Sequence, residues 1–379
     1  MTWQTMMLGD VVTLKRGHDL PETQRVEGDV PVVSSSGITG SHNEPKAAAP
    51  GVVTGRYGTL GEVFYLDQDY WPLNTALYVT DFKGNDPRFV AYFLRNALRD
   101  LQGDKAAVPG VNRNVLHALE VQSPDPQTQE RIATILSGYD DSVANNQRRI
   151  ELLEEAASQL YSEWFPRFRF PGYEHTPVTD GIPQDWEKRP LARCAKFLSG
   201  GTPSKQRSDY WDGDIPWVSS GEMTVTRLYD TEHHISEEAA RAGSNVVPPG
   251  TILMVVRGMS LAKESRIAVT TVNMAFNQDL KALVCKPGVD SSFLAHALLA
   301  ERSYIRDLAS DAAHGTKRLE TPVLECLPVL VPPVGLQALF RDSVAPFDAL
   351  RDKLHEENAK LTVVRDMLAP RLLSGQLRV

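Results

Sequence analysis

Between Gln127 and Phe165 the chain carries one long stripe: Leu136, Tyr139, Val143, Asn146, Ile150, Leu153, Ala157, Leu160 and Trp164. The steps alternate between three and four residues, which keeps one side of a helix facing a partner helix for many turns. A second stripe reads Phe347, Leu350, Leu354, Glu357, Leu361, Val364 and Leu368. A shift of 208 residues lays Tyr139 on Phe347, Asn146 on Leu354, Leu153 on Leu361 and Leu160 on Leu368. The same shift carries Leu119, Val121, Pro124 and Gln129 onto Leu327, Val329, Pro332 and Gln337. The chain is an internal duplication.

Each stripe follows a globular stretch. In the first, Leu8–Leu14 reads as a helix turn ending at Gly17. Short β-like runs follow at Val30–Ser34, Gly51–Thr54, Gly61–Leu66 and Leu77–Thr80. A helix is expected over Pro87–Leu101, a loop over Lys105–Asn114 and a short strand over Leu116–Gln122. The second stretch repeats the plan with longer loops. Gly17 maps on Gly200, Gly28–Ser35 on Gly213–Ser220, Arg56 on Arg257, Asn74 on Asn277 and Phe89–Leu98 on Phe293–Arg302. Gly138 and Pro346 occupy equivalent places and are expected to kink the helices. From Tyr139 to Trp164 the first helix has 26 residues, roughly 39 Å at about 1.5 Å per residue. That is near the roughly 34 Å turn of B-DNA at which a two-headed reader meets the same groove face again. The expected architecture is α+β: two β-rich globular domains joined by two long antiparallel coiled-coil helices. Its blocks are 1–126, 127–172, 173–334 and 335–379.

Composition excludes several classes. With 42% apolar and 23% charged residues, the chain reads as a soluble globular protein of the cytoplasm, with no membrane span and no signal peptide at its start. Cys194, Cys285 and Cys326 are widely spaced and are expected to be buried free thiols. Net charge is −8, and the four blocks hold 11 basic against 15 acidic, 5 against 7, 17 against 20 and 7 against 6 residues. No block grips nucleic acid by bulk charge. No phosphate loop, dinucleotide fingerprint or zinc helix is present; Gly200–Lys205 lacks the Gly-Lys-Ser/Thr ending, and His233-His234 reads as exposed loop. No metal site or catalytic set is expected.

The duplication, the ending Leu372-Leu373-Ser374-Gly375-Gln376-Leu377, the phrase Ile182-Pro183-Gln184-Asp185-Trp186, and Gly200-Gly201-Thr202-Pro203-Ser204 followed by Tyr210-Trp211 and Gly213–Trp217 together resemble the specificity (S) subunit of type I restriction-modification systems. The resemblance covers the whole chain. It implies two target-recognition domains (1–126 and 173–334), each meeting one half of a bipartite double-stranded DNA site. It implies helical regions (127–172 and 335–379) that space them and dock two adenine-N6 methyltransferase subunits, with restriction/translocase subunits completing the complex. It implies no cofactor in this chain: S-adenosylmethionine belongs to the methyltransferase, ATP and Mg to the restriction subunit. The other reading of the same pattern is a two-headed coiled-coil scaffold that does not bind DNA.

Base readout needs Arg, Lys, Asn, Gln, Ser or Thr on well-placed loops, with glycine where backbone nears the duplex. In the first half the candidates are Ser34, Ser35, Ser36, Arg56, Tyr57, Asn74, Lys105, Asn112, Arg113 and Asn114. In the second they are Ser219, Ser220, Arg257, Ser260, Asn277, Gln278, Lys281, Thr316, Lys317 and Arg318. Ser-Ser-Gly after a strand is also an ordinary turn, and Asn74 and Asn277 also suit backbone capping. Trp71, Trp211 and Trp217 read as packing. On the helices the candidate partner-binding positions are Tyr139, Asn146, Leu153, Leu160, Phe347, Leu354, Leu361 and Leu368. Asn146 and Glu357 are polar intrusions expected to set register or face a docked helix.

Overall fold

The structure is a computed structural model that describes residues 3–56, 61–103, 112–312 and 315–379. It forms two compact units, Met1–Arg149 with Lys353–Val379, and Ile150–Asp352. The candidates Tyr57 and Lys105 lie outside the described residues.

The two units repeat one topology. In the first, antiparallel strands run in the order Thr13–Arg16, Ala76–Asp81, Gly51–Gly55, Val63–Leu66. In the second, the order is Ala195–Ser199, Leu280–Cys285, Ile252–Val255, Ile267–Thr270, with Arg227–Leu228 added at the edge. A second small sheet pairs Val30–Ser34 with Gly37–His42 and, in parallel, with Trp71–Pro72. Its counterpart pairs Ile215–Val218 with His233–Ile235 and, in parallel, with Met274–Phe276. His233 and His234 are therefore strand residues, not loop. One helix covers each larger sheet, Pro87–Gly103 in the first unit and Ser291–Ala300 in the second, and Phe89 and Phe293 near their starts are fully buried.

Local departures from expectation have local causes. The turn Leu8–Val11 is followed by the strand Thr13–Arg16, so Gly17 ends a strand and not a helix. Asn112 caps a helical turn, Arg113–His117, by accepting the Asn114 N–H at 3.0 Å. The next strand accordingly begins at Glu120, not Leu116. Cys194 is buried, Cys285 half-buried and Cys326 exposed, so the third thiol departs from the expected burial.

The long helices are Pro126–Trp164 and Val334–Leu373, each unbroken through Gly138 or Pro346. Within each unit they run antiparallel. In the first unit Ile132 and Leu136 pack with Leu368, Leu372 and Leu373. In the second unit Tyr161, Trp164 and Phe165 surround Phe340, with ring centroids 5.1–6.0 Å apart. The stripe of the first helix faces inward as the spacing predicts. That of the second is shifted: Leu350, Glu357 and Val364 are exposed. The inward positions are Phe340, Val344, Phe347, Arg351, Leu354, Asn358, Leu361, Arg365, Leu368 and Leu372. These are the 208-residue images of Ile132 through Trp164. Hydropathy picked the aliphatic neighbours because three inward places hold Arg351, Asn358 and Arg365. Arginine is tolerated there because each has an acid to pair with.

Candidate nucleic-acid interface

In the first unit the loops at one end of the sheets converge on a single turn, Leu73–Thr75. It is anchored by the Leu73 N–H on the Val33 carbonyl at 2.8 Å and the Asn74 N–H on the His18 carbonyl at 3.0 Å. Around it, the Ser35 N–H donates to Thr75 Oγ1 at 3.4 Å. The Arg56 N–H donates to the Thr75 carbonyl at 3.2 Å. Arg16 Nε donates to the Asn74 carbonyl at 3.3 Å. The Asn74 side-chain amide hydrogen-bonds the Asp19 carboxylate. Ser34 is buried and closes its own hairpin on the Gly37 carbonyl at 3.2 Å, leaving Ser35 and Ser36 as the outward members. Gly17 makes this convergence possible: a Cβ there would lie 2.2 Å from the Leu73 carbonyl oxygen.

The second unit builds the same end. A Cβ on Gly200 would lie 2.2 Å from the Phe276 carbonyl oxygen. The turn Asn277–Asp279 takes the place of Leu73–Thr75: the Asn277 N–H reaches the Val218 carbonyl at 3.0 Å and the Val256 N–H reaches the Asp279 carbonyl at 2.9 Å. Gln278, not Asn277, therefore stands in the place of Asn74, and Val256, not Arg257, in that of Arg56. Asn277 itself is buried and accepts the Asp279 N–H at 3.1 Å, so it shapes the turn. Exposed Gln278 accepts the Thr202 hydroxyl at 2.7 Å, and Lys281 reaches Ser199 Oγ at 2.5 Å. Ser219 is held by Glu222 through its N–H and its hydroxyl, both at 2.8 Å, with half-buried Ser220 next to it.

Beyond Val256 the chain continues into a three-stranded ribbon in which Arg257 lies directly opposite Arg318, and Gly258 opposite Lys317. Ser260 opens the short turn that follows, and the Thr316 carbonyl accepts the Ala312 N–H at 2.8 Å. Lys317 pairs with Asp311 at 2.6 Å and Arg318 with Glu320 at 3.0 Å. Arg257 is exposed and makes no ion pair among the described residues. Like charges directly opposite in a ladder repel, which an anion laid across them relieves. The first unit is also locally basic despite the net charge. The His18 pKa is lowered by burial, then by Lys15 and Lys46, and Lys46 sits 4.9 Å from the Trp71 ring centroid.

Thus Ser35, Arg56 and Asn74 are brought together, as are Ser219, Arg257, Asn277, Gln278, Lys281, Lys317 and Arg318. Asn112, Arg113 and Asn114 are not tied to the turn; they serve the helical turn whose His117 accepts the Leu14 N–H at 2.9 Å. Arg16, Thr75, Ser199 and Thr202 are missed from sequence, although their places beside Gly17, Asn74 and Gly200 were the available signal. Trp71 and Trp217 are buried, and Trp211 stacks edge-on against Trp217 at 5.0 Å, in packing roles. The eight helix candidates all occupy seam positions of their own helix pair, where Asn146 and Leu354 are buried.

Residues 1–155 and 183–363 match the family described as the type I restriction modification DNA specificity domain. The chain is 25% identical over 295 residues to the type I restriction enzyme MjaIX specificity subunit of Methanocaldococcus jannaschii, covering 74% of this chain and 66% of that one. It is 28% identical over 172 residues to the EcoR124I/EcoR124II specificity subunit of Escherichia coli, covering 45% and 43%. The matches thus span just under two thirds and under half of those relatives. The fold is similar to the crystal structure of the type I restriction-modification S subunit from M. genitalium, with TM-score 0.59, 18% identity and coverage of 98% and 96% of the two chains.

Proposed function

The chain belongs to the type I restriction-modification DNA specificity family, and from that membership we propose that it is the DNA-recognition subunit of such a complex. Each unit reads one half of a bipartite, asymmetric double-stranded site. The long helices set the half-site spacing and dock two adenine-N6 methyltransferase subunits, with restriction subunits joining for cleavage. The chain performs no chemistry; S-adenosylmethionine belongs to the methyltransferase partner, and ATP and Mg to the restriction partner. It works in the cytoplasm, and among the described residues no helix is long and apolar enough to cross a membrane.

One observation carries this reading. The same turn is built twice on the same topology, the Thr75 and Asp279 carbonyls accepting the Arg56 and Val256 N–H groups, with an arginine at that place in one unit and one residue beyond it, Arg257, in the other. Around it the side chains differ: serines and Asn74 in the first unit, Gln278, Lys281 and the Lys317–Arg318 ribbon in the second. A shared scaffold with different contact groups suits two different half-sites. Outward-facing Leu152, Val363 and Met367 supply apolar surface on the helices for docking. Affinity is expected to come jointly with the methyltransferase, because neither unit has a large net positive charge.

The test is adenine-methylation mapping in cells carrying this chain with a cognate methyltransferase. The expected result is a split N6-methyladenine motif in which exchanging residues 1–126 for those of a relative changes one half only. Methylation indifferent to that exchange overturns the reading.

A further inference from the structure

Among the described residues, one ion pair in each unit joins the long helices, and these two have the same polarity. In the first unit the Asp140 carboxylate meets the Arg365 guanidinium and also accepts the Tyr92 hydroxyl. In the second unit Glu154 meets Arg351 at 3.4 Å and accepts the Thr226 hydroxyl. Each time the acid comes from the first helix and the cation from the second. The arginine side chains are only 19% and 11% exposed, so neither is fully hydrated by water. Asp366 and Asp348 hold the same arginines in place, at 2.7 Å and 2.5 Å.

The duplication identifies what a second copy of each helix brings to these places. The 208-residue image of Arg365 is Ala157, and that of Arg351 is Val143. Two first helices pairing in the observed register therefore set Asp140 against Ala157 and Glu154 against Val143, twice over. Four half-buried carboxylates lose their cations. Two second helices set Arg365 against Asp348, a compatible contact, but Arg351 against Thr362. Only the pairing of first helix with second sets both an acid and a cation at each of these two places. Uncompensated charge in a partly desolvated seam is costly, and polar seam residues are the usual device that selects one partner over another.

We propose that these two pairs are a heterotypic address: they direct the first helix to the second helix and reject a second copy of the first. Aliphatic repeats of the same origin can pair with themselves as well as with each other, and charged seam pairs add selectivity to the covalent linkage that already favours pairing within the chain. This holds whatever the heads bind, and its test involves no DNA.

The experiment uses three full-length variants and native mass spectrometry beside thermal unfolding. The first variant carries Asp140→Arg and Glu154→Arg, the second Arg351→Glu and Arg365→Glu, and the third all four. The native chain is expected to be monomeric. Each two-site variant sets like charges together within its own seam, and melts roughly 5–10 °C lower. Mixed, the two form a 1:1 dimer in which each first helix takes the other chain's second helix. The four-site variant returns to a monomer and regains part of the melting temperature that the two-site variants lose, since Asp348 and Asp366 now stand beside glutamates. Two-site variants that keep native melting, a folded mixture that yields no mixed dimer, or a native chain that dimerises through its first helix overturn the proposal. If the two-site variants do not fold, the four-site variant decides: recovery supports the address and failure to recover overturns it.

Discussion

Gln129 and Gln337, 208 residues apart, make the same junction in their respective units. Gln129 Oε1 accepts the Asp86 N–H at 3.1 Å while its Nε2 donates to the Pro124 carbonyl at 3.0 Å. Gln337 Oε1 accepts the Asp290 N–H at 2.8 Å while its Nε2 donates to the Pro332 carbonyl at 2.8 Å. Both are 1% exposed. Each ties the first turn of a long helix to the start of the helix that covers the sheet. Replacing either by Leu keeps the volume but strands a buried N–H and a buried carbonyl. The expected cost is about 2–4 kcal/mol, read as a lower denaturant midpoint with unchanged slope.

Phe340 is the matching apolar anchor of the second unit. It is fully buried, with Tyr161, Trp164 and Phe165 rings around it. Phe340→Ala leaves a cavity that rigid aromatic neighbours do not fill, at about 3–5 kcal/mol. Chemical denaturation measures it.

Gly17→Ala and Gly200→Ala strike the candidate interface through the backbone. The new methyl would lie 2.2 Å from a carbonyl oxygen in each case, and carbonyls of an anchored turn cannot swing away as a side chain does. Each is expected to destabilise by about 1–3 kcal/mol and to displace the turn. DNA affinity of the methyltransferase complex should fall further than the loss of folded protein accounts for.

Arg56→Ala and Arg257→Ala test contact directly, at one half-buried and one exposed arginine. Binding by the assembled complex should weaken by about 1–3 kcal/mol, beyond what any loss of folded protein accounts for. A base contact is seen as relaxed sequence preference at one position. A phosphate contact is seen as a salt slope smaller by about 1 with preference intact. Full retention of affinity and preference in both variants removes these arginines from the interface.

His117 gives a pH signature. Burial, and then Arg113 and Lys83, lower its pKa, and its Nε2 accepts the Leu14 N–H, which only the neutral ring can do. In the unfolded chain the ring titrates near about 6.5, so as pH falls the unfolded state takes up the proton first. Stability contributed by the neutral ring is complete above that pH and is lost as pH falls below it. His18 and His296, also lowered by burial, act in the same direction. Unfolding free energy should decline as pH falls below about 6.5, and His117→Gln, which keeps an acceptor, should flatten part of that slope.

Much of this was legible in the residues. The 208-residue repeat, the strands at Val30–Ser34 and Gly51–Gly55, the covering helix from Pro87 and the inward stripe from Leu136 to Trp164 follow from periodicity, turn residues and self-similarity, all of which are local or translational properties of a chain. What periodicity misassigned was the second stripe. Leu350 and Val364 are aliphatic and exposed, while Arg351 and Arg365 are charged and turned inward, because the acids that neutralise them, Glu154 and Asp140, lie about 200 residues away in sequence. The site divides the same way. Arg56 and Arg257 stand out beside glycines in both repeats, but Arg16, Thr75 and Thr202 join them only through backbone hydrogen bonds of turns that non-local strand pairing brings together. Sequence alone determined that the chain is built twice from strands and long helices, since burial of an apolar stripe requires no knowledge of the partner. Tertiary structure decided which polar groups may sit inside and which loops meet, since the free energy of a buried charge depends on what stands opposite it.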